Sequence, residues 1–357
     1  MNYIETLLVA LIFSAGELGI DIPYISYFLV LLLFFIRIPS LTLHNCWQPY
    51  MQSMFLLVVF SIPWVLLIDV DTMRDSGLIL LGISCFLNAK PLSCNVKAIN
   101  VIMLMATCYG IFKTGSLNLT AENYLHSDIG YESSMLSFIY PFFSIYWAIK
   151  KNKVWVLIDL AFGLVSGKRI AFLATLVGII YVCFLLRGIS RRKIQILSLI
   201  LISMNIAYLL VTFLIISDFF SNFIDDITGM PINQFTMGRY ELYNTAINRS
   251  NILEGANFIW GIGNGNVLPL LEGARLHNDV LKIFIENGLV VFVLFFVILY
   301  QKKWYFAWGF IFVQNVLFFT DNTLIYVPVI FATCLFIDLI KEDYLANLEY
   351  TLLNSEF

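Results

Sequence analysis

Residues 194–217 read IQILSLILISMNIAYLLVTFLIIS and contain no charged side chain. A membrane span needs about 20 consecutive, mostly apolar residues, and this stretch is long enough to meet that requirement. Lipid offers no partner for backbone N–H and C=O groups, so a single apolar segment crosses it as a helix. The cluster Arg191–Arg192–Lys193 stands immediately before the stretch. The sequence therefore predicts a transmembrane helix that begins beside a basic cluster.

Similar apolar runs continue along most of the chain. The 357 residues are 60% hydrophobic and 13% charged, whereas soluble domains carry about 25% charged residues. Polar breaks separate candidate spans at 4–20, 22–38, 51–69, 76–89, 97–112, 132–149, 154–167, 170–187, 194–217, 279–300, 304–320 and 323–340. We therefore expect an all-α polytopic membrane protein with about 12 transmembrane helices. Residues 1–357 are predicted to form a single integral membrane domain, with a short polar tail at 342–357.

Composition also excludes several classes of protein. The net charge of −3 argues against a nucleic-acid partner, because no basic field is present. The six cysteines lie within or beside apolar runs without metal-ligand spacing, so neither a disulfide framework nor a zinc site is expected. With three histidines far apart in the chain, a His-rich metal centre is also excluded. The sequence predicts no metal and no cofactor.

The distribution of Lys and Arg predicts the orientation. Basic clusters are typical of the cytoplasmic loops of membrane proteins. If the N-terminus is cytoplasmic, the clusters around Lys150–Lys153, Arg187–Lys193 and Lys302–Lys303 all fall on the cytoplasmic side. We therefore expect both termini in the cytoplasm and residues 218–278 as one long loop outside it. The spacing of apolar residues from Met237 to Ser250 predicts a short amphipathic helix within that loop.

Some cations fall on the outer side, where the charge rule does not explain them. Lys168 and Arg169 occupy a turn between two apolar helices, and Arg239 opens the amphipathic helix of the loop. The two turn residues either anchor helix ends at the lipid headgroups or bind a phosphate, which the planar guanidinium of arginine suits well. Arg239 is open to two interpretations, an ordinary surface residue or part of the same anion site.

Two further segments of the outer region carry candidate chemistry. The glycine run Trp260–Asn266 follows no strand and so is not a dinucleotide motif; it predicts a tight turn whose amides are exposed near a sugar or phosphate. His277 stands where the loop re-enters the membrane. Its imidazole is suited to accept a proton near neutral pH, although a histidine that only caps the next helix fits this segment as well.

Taken in order, these segments resemble the superfamily of O-antigen polymerases and O-antigen ligases of the bacterial envelope. The resemblance covers roughly 160–300, and the segment Phe319–Asn322 also resembles the superfamily. Its motifs are Ser166-Gly167-Lys168-Arg169, Gly238-Arg239, Trp260-Gly261-Ile262-Gly263-Asn264-Gly265-Asn266, His277-Asn278-Asp279 and Glu286-Asn287-Gly288. It implies a fold like that of GT-C-type glycosyltransferases, with 218–278 as a large periplasmic loop.

The resemblance further implies an inverting glycosyl transfer without a nucleotide sugar. Arg169 and Arg239 would bind the pyrophosphate of the donor, and His277 would be the general base. The residues expected to support them are Lys168, Arg275, Asn278 and Asp279. The implied partners are undecaprenyl-pyrophosphate-linked oligosaccharide as donor and acceptor, membrane lipids and a chain-length regulator protein. The implied location is the bacterial inner membrane, with the active site facing the periplasm.

Two alternatives stay open at this point. An O-antigen ligase would move finished glycan to the lipid A core, whereas a polymerase joins repeat units on the carrier lipid. A flippase or other transporter of lipid-linked oligosaccharide would need ionisable residues in mid-membrane, and Asp159 is the clear candidate. A transporter would leave the outward Arg169, Arg239 and His277 unexplained, so we favour an enzyme. Between the two enzymes we favour the polymerase, because a divergent loop suits recognition of one particular repeat unit.

The predicted orientation can be tested with reporter fusions. Fusions at Asn222 and Asn251 should report a position outside the cytoplasm, because the long loop follows an odd number of spans. Fusions at Lys151, Arg192 and Lys303 should report a cytoplasmic position. Paired alkaline phosphatase and fluorescent-protein fusions measure both sides, and an inverted pattern would contradict the orientation.

Overall fold

The computed structural model describes residues 2–18, 24–40, 48–67, 69–87, 92–114, 134–166, 168–186, 190–217, 223, 226–227, 231–236 and 238–355. Within these ranges every regular element is a helix and no strand occurs. Four of the described helices are long and apolar enough to cross a membrane: Pro49–Leu66, Val96–Thr114, Arg192–Ile215 and Asp279–Leu299. The prediction of a helical membrane protein is confirmed at this level.

The described α-helices follow one another along the chain with few long connections. They are α1 (Tyr3–Ser14), α2 (Ile25–Arg37), α3 (Pro49–Leu66), α4 (Val70–Ser84), α5 (Val96–Thr114), α6 (Ser134–Ile149), α7 (Lys153–Val165), α8 (Arg169–Leu186), α9 (Arg191–Ile215), α10 (Ile232–Phe235), α11 (Arg239–Ser250), α12 (Gly255–Trp260), α13 (Val267–Leu270), α14 (Asp279–Leu299), α15 (Trp308–Phe318) and α16 (Val327–Ser355). Short 3₁₀ helices lie at Ile38–Ser40, Lys302–Ala307 and Thr323–Ile325.

Each predicted span overlaps a helix, although several boundaries differ. Helix α1 ends at Ser14, six residues before the predicted end. Helix α4 begins six residues before the predicted span, because the Asp69 carboxylate caps it by accepting from Asp71 N at 3.1 Å. Helix α16 continues to Ser355 and so includes most of the predicted polar tail. Helices α10–α13 lie within 218–278; residues 218–222, 224–225, 228–230 and 237 of that loop lie outside the described residues.

Polar contacts join several helix ends that the distribution of Lys and Arg predicts on the cytoplasmic side. Arg37 at the end of α2 pairs with Glu5 in the first turn of α1, with Nη1 and Oε1 3.2 Å apart. The same guanidinium donates from Nε to the Cys85 carbonyl after α4 at 3.1 Å. Gln48, just before α3, donates to Asp338 in α16 at 3.3 Å. These contacts close one end of the helix bundle, and the candidate site lies at the other.

The interior is built around α6, in which residues 136–145 are all buried. Phe142 stacks on Phe310 of α15 and Phe336 of α16, with ring centroids 6.2 and 6.1 Å apart. Close helix packing replaces the hydrophobic effect as the cohesive force between helices in lipid. The buried aromatic side chains therefore hold α15 and α16, and with them the turn between these helices, in a fixed position.

Helix α14 is broken in the middle. Gly288 has φ 71° and ψ 177°, which is outside the helical region. The carbonyl groups of the turn before it accept hydrogen bonds from the glycine run: Ile262 N donates to Ile285 O at 3.1 Å and Gly263 N donates to Glu286 O at 2.8 Å. The break therefore creates a docking site for the turn at residues 260–266.

This docking explains why the turn is rich in glycine. A Cβ atom on Gly261 would overlap the Glu286 carbonyl, and one on Gly265 would overlap the Asp71 carbonyl in α4. Gly261, Gly263 and Gly265 are all buried. The expectation that the amides of this run are exposed to a ligand was wrong for Ile262 and Gly263, whose N–H groups bond to α14.

Substitution of Gly261 tests this packing. Gly261→Ala forces a Cβ onto the α14 backbone at a φ of 76°, and we expect a loss of roughly 2–5 kcal/mol in stability. The melting temperature of the detergent-purified protein, followed by size exclusion, measures the loss. Gly77→Ala is the matched control, because a Cβ there meets nothing within 4 Å in helix α4. If both variants melted like the wild type, the docked turn would be contradicted.

Candidate functional site

His277 lies at the junction between the long loop and α14. Its backbone is left-handed, with φ 52°, and the next residue, Asn278, caps the helix by accepting from Leu281 N at 3.0 Å. The cap fixes where α14 starts, so the preceding residue is held at the helix end. The His277 side chain is 44% exposed, which leaves its imidazole accessible to a ligand.

Asp321 is the carboxylate that contacts the His277 imidazole. The Nδ1 and Oδ1 atoms are 3.6 Å apart, and the Asp321 side chain is only 12% exposed. A carboxylate beside Nδ1 favours the tautomer with a proton there and leaves Nε2 free to accept another proton. The family resemblance includes Asp321 within Phe319–Asn322 but assigns it no role. The structure supplies one, because the turn between α15 and α16 brings it to His277.

The charge of Lys168 also acts on this carboxylate. Burial raises the pKa of Asp321, but the nearby His277 imidazole, the hydrogen bond from the Asn322 N–H at 2.8 Å and the charge of Lys168 lower the pKa below its usual value. Lys168 immediately precedes α8, and the partly exposed Arg169 is the first residue of that helix. The beginning of α8 is thus close to the turn that carries Asp321. Gly167 lies outside the described residues.

Arg239 acts on Tyr243, a buried tyrosine of the same helix. It is the first residue of α11, after Gly238 at φ 80°. Burial raises the pKa of Tyr243, whereas the Arg239 charge and an interaction with the Asn278 side chain oppose that rise. Asn278 is fully buried and donates to Tyr208 Oη at 3.3 Å. Arg239 and Asn278 therefore both act on Tyr243, which lies one helical turn after Arg239 in α11.

The other two supporting residues of the sequence analysis have distinct surroundings. Arg275 donates from Nη1 to Tyr326 Oη at 2.8 Å, and its guanidinium lies 5.7 Å from the centre of that ring. Asp279 is fully buried and accepts from Thr323 Oγ1 at 3.1 Å and from Leu324 N at 2.9 Å. Asp279 therefore fixes α14 to the turn before α16, and it orients His277 only through that turn.

A cavity of about 250 Å³ is lined by residues from α2, α4, α13, the end of the loop, α14 and the turn before α16. His277 and Asp321 do not line it, but their sequence neighbours Leu276 and Asn322 do. Its exposed lining includes Tyr24, Arg275 and Ala274, and its buried lining includes Asp75, Lys282 and Asn322. The amide Nδ2 atom of Asn322 is buried and has no hydrogen-bond partner. The cavity thus opens to the surface at the exposed residues, and the buried polar residues form its floor.

A cluster of buried charges forms the floor and ties α4 to α14. Lys282 Nζ lies 2.8 Å from Asp75 Oδ2 and 3.8 Å from Glu286 Oε2. Asp75 also pairs with Arg74, with Oδ1 and Nε 2.9 Å apart. Glu286 accepts from Val267 N at 3.3 Å, which connects the cluster to α13. Lys282 and Asp75 are 207 residues apart in the chain, so local spacing does not predict this pair.

Lys282→Met should destabilise the protein strongly. Removal of one partner from a buried ion pair costs about 3–5 kcal/mol, because the other charge remains buried. Asp75→Asn in the same chain should restore part of that loss. Arg249→Met is the control, since the pair Arg249–Glu272 is half exposed and such pairs contribute below about 1 kcal/mol. Thermal unfolding of the three proteins gives the comparison, and equal losses at Lys282 and Arg249 would contradict the buried cluster.

Among the described residues, no group of three or more His, Cys, Asp and Glu side chains could hold a metal ion. The site consists instead of an imidazole–carboxylate contact, with the charge of Lys168 acting on the carboxylate. Neither a protein-family model nor a curated protein matches this chain. Its function therefore has to be inferred from the chemistry of the site.

Proposed function

We propose that this chain is an O-antigen polymerase, which joins lipid-linked oligosaccharide repeat units by inverting glycosyl transfer. The observation that carries the proposal is the His277–Asp321 contact at 3.6 Å, with Lys168 close enough to act on the carboxylate. An accessible imidazole held by a buried carboxylate is the arrangement of a general base. Cations beside it suit a negatively charged leaving group.

The proposed reaction needs one proton acceptor and one anion site. Nε2 of His277 takes the proton from an acceptor hydroxyl as its oxygen attacks the anomeric carbon of the donor. The bond from that carbon to the pyrophosphate oxygen breaks, and undecaprenyl pyrophosphate leaves with the electron pair. Arg169 and Arg239 bind the pyrophosphate, and Lys168 adds positive charge nearby. Asn278 and Asp279 position His277 by fixing the start of α14.

The proposal places all of the predicted spans in the bacterial inner membrane, in a GT-C-like bundle. Four described helices meet the length and composition of a span. The shorter helices α1, α2, α6 and α8 are also apolar, and local thinning of the bilayer together with snorkelling of flanking residues accommodates short helices in lipid. The site then faces the periplasm, where lipid-linked donor and acceptor and a chain-length regulator are available.

Two observations weigh against a transporter. Asp159, the mid-membrane candidate, is fully buried and accepts from Asn100 Nδ2 at 3.0 Å, so it has a structural partner within the bundle. His277 instead contacts Asp321, and the charge of Lys168 acts on that carboxylate, an arrangement that a transporter does not need. An O-antigen ligase would use the same base and the same cations, and the cellular phenotype separates it from a polymerase.

His277→Ala should abolish chain extension while the protein still inserts. General base catalysis contributes on the order of a hundredfold to ten-thousandfold in rate. In a deletion strain complemented with the variant, a lipopolysaccharide gel should show core plus one repeat unit. Asp321→Asn should shorten the chains, because the imidazole loses the carboxylate that sets its tautomer. Arg249→Ala, at an exposed pair outside the site, is the control and should give normal chains.

The same gel distinguishes the alternatives. Bare core in the deletion strain would identify a ligase or a flippase and would overturn the polymerase assignment. Long chains in the His277→Ala strain would overturn the mechanism, because no other base is proposed at the site.

A further inference from the structure

We propose that the cavity at residues 274–276, just before His277 in the chain, binds one carboxylate-bearing sugar ring, of the hexuronic acid class, and that Arg275 and Asn322 hold its carboxylate. The inference rests on the proposed function only in assigning that ring to the lipid-linked glycan. It identifies a substrate class, which the site chemistry at His277 does not.

The size of the cavity fits a single sugar ring. Its volume of about 250 Å³ lies just below the roughly 300–1,000 Å³ of sites for drug-sized ligands. The exposed lining at Tyr24 and Arg275 gives access from the loop side, and the floor at Asp75, Lys282 and Asn322 is buried. One ring of a longer glycan can therefore enter while the neighbouring rings stay outside.

The charged side chains that line the cavity favour a ligand with one negative charge. Arg74 pairs with Asp71 and Asp75, and Lys282 lies close to Asp75 and Glu286, so the charges of both cations are compensated. No carboxylate among the described residues contacts the Arg275 guanidinium, which uses Nη1 for Tyr326. The planar fork of arginine matches a carboxylate. A phosphate dianion fits less well, because one free cation cannot balance it and the Asp75 carboxylate repels it.

The remaining groups suit a sugar. The buried Nδ2 atom of Asn322 lacks a partner, and a buried donor without an acceptor is costly until a ligand oxygen satisfies it. Tyr27 adds an aromatic ring and a hydroxyl group to the lining, which suit the apolar face and the hydroxyls of a pyranose. A neutral hexose would use these contacts but would leave Arg275 without its anion.

Binding to the full-length protein in nanodiscs tests the proposal. The probes are methyl β-glucuronide, methyl β-galacturonide, methyl β-glucoside and inorganic phosphate, followed by saturation-transfer NMR with competition. At least one uronide should bind about tenfold to a hundredfold more tightly than the glucoside, the range expected for a charge-assisted hydrogen bond. Arg275→Gln should remove that preference, and Arg275→Lys should retain part of it. Arg249→Gln, another loop arginine, is the control and should retain all of it.

Several outcomes would overturn the proposal: equal binding of the uronides and the glucoside, absence of binding by both uronides, an unchanged preference in Arg275→Gln, or displacement of the uronide by phosphate at lower concentration. Unchanged melting of Arg275→Gln shows that a lost preference is not a loss of fold. If the protein prefers uronides but the deletion strain shows bare core, the cavity is a uronic-acid site and the polymerase assignment is wrong. If the deletion strain shows the polymerase phenotype but the protein does not prefer uronides, only the assignment of the cavity as a uronic-acid site is wrong.

Discussion

Two backbone hydrogen bonds, from Ile262 to Ile285 and from Gly263 to Glu286, allow α14 to break at Gly288. A break within a membrane span exposes carbonyl groups that lipid cannot satisfy, at a cost of several kcal/mol each. The glycine run supplies the missing donors. The half of α14 before the break is thereby fixed relative to the loop, and so are the Asn278 cap and His277 at its beginning. The position of the candidate base thus depends on a turn some distance along the chain.

The charged residues of this region have two different roles. Lys282 and Glu286, one and two turns into α14, face buried partners in α4 and α13 and hold the scaffold together. His277 and Arg275, just before the helix, keep part of their polar atoms accessible. Charges within the helix are neutralised because burial makes a lone charge expensive. Charges at its exposed end can stay available for a ligand. One short segment therefore carries both the rigid support and the chemistry.

Local patterns in the sequence predicted the helices well and predicted the site in part. Apolar length located every long helix, because lipid imposes that length directly. The boundaries of α4 and α16 were missed, since a capping carboxylate and a helix that continues beyond its apolar run do not depend on hydropathy. His277 was identified by its chemistry, but the contact with Asp321 joins distant turns. Lys282 and Asp75 are 207 residues apart, and no local spacing predicts such a pair. The glycine run was recognised as a turn, but its docking onto α14 follows from tertiary packing.

The distance between Lys282 and Asp75 along the chain also orders the assembly of the protein. The ribosome completes α4 long before α14, so Asp75 first enters the translocon with Arg74 as its available counter-charge. Its second counter-charge arrives 207 residues later. Until then α4 carries a carboxylate whose burial is only partly compensated, which opposes its docking into the bundle. The α4–α14 contact therefore forms late in biosynthesis, and a chain truncated before α14 cannot complete it.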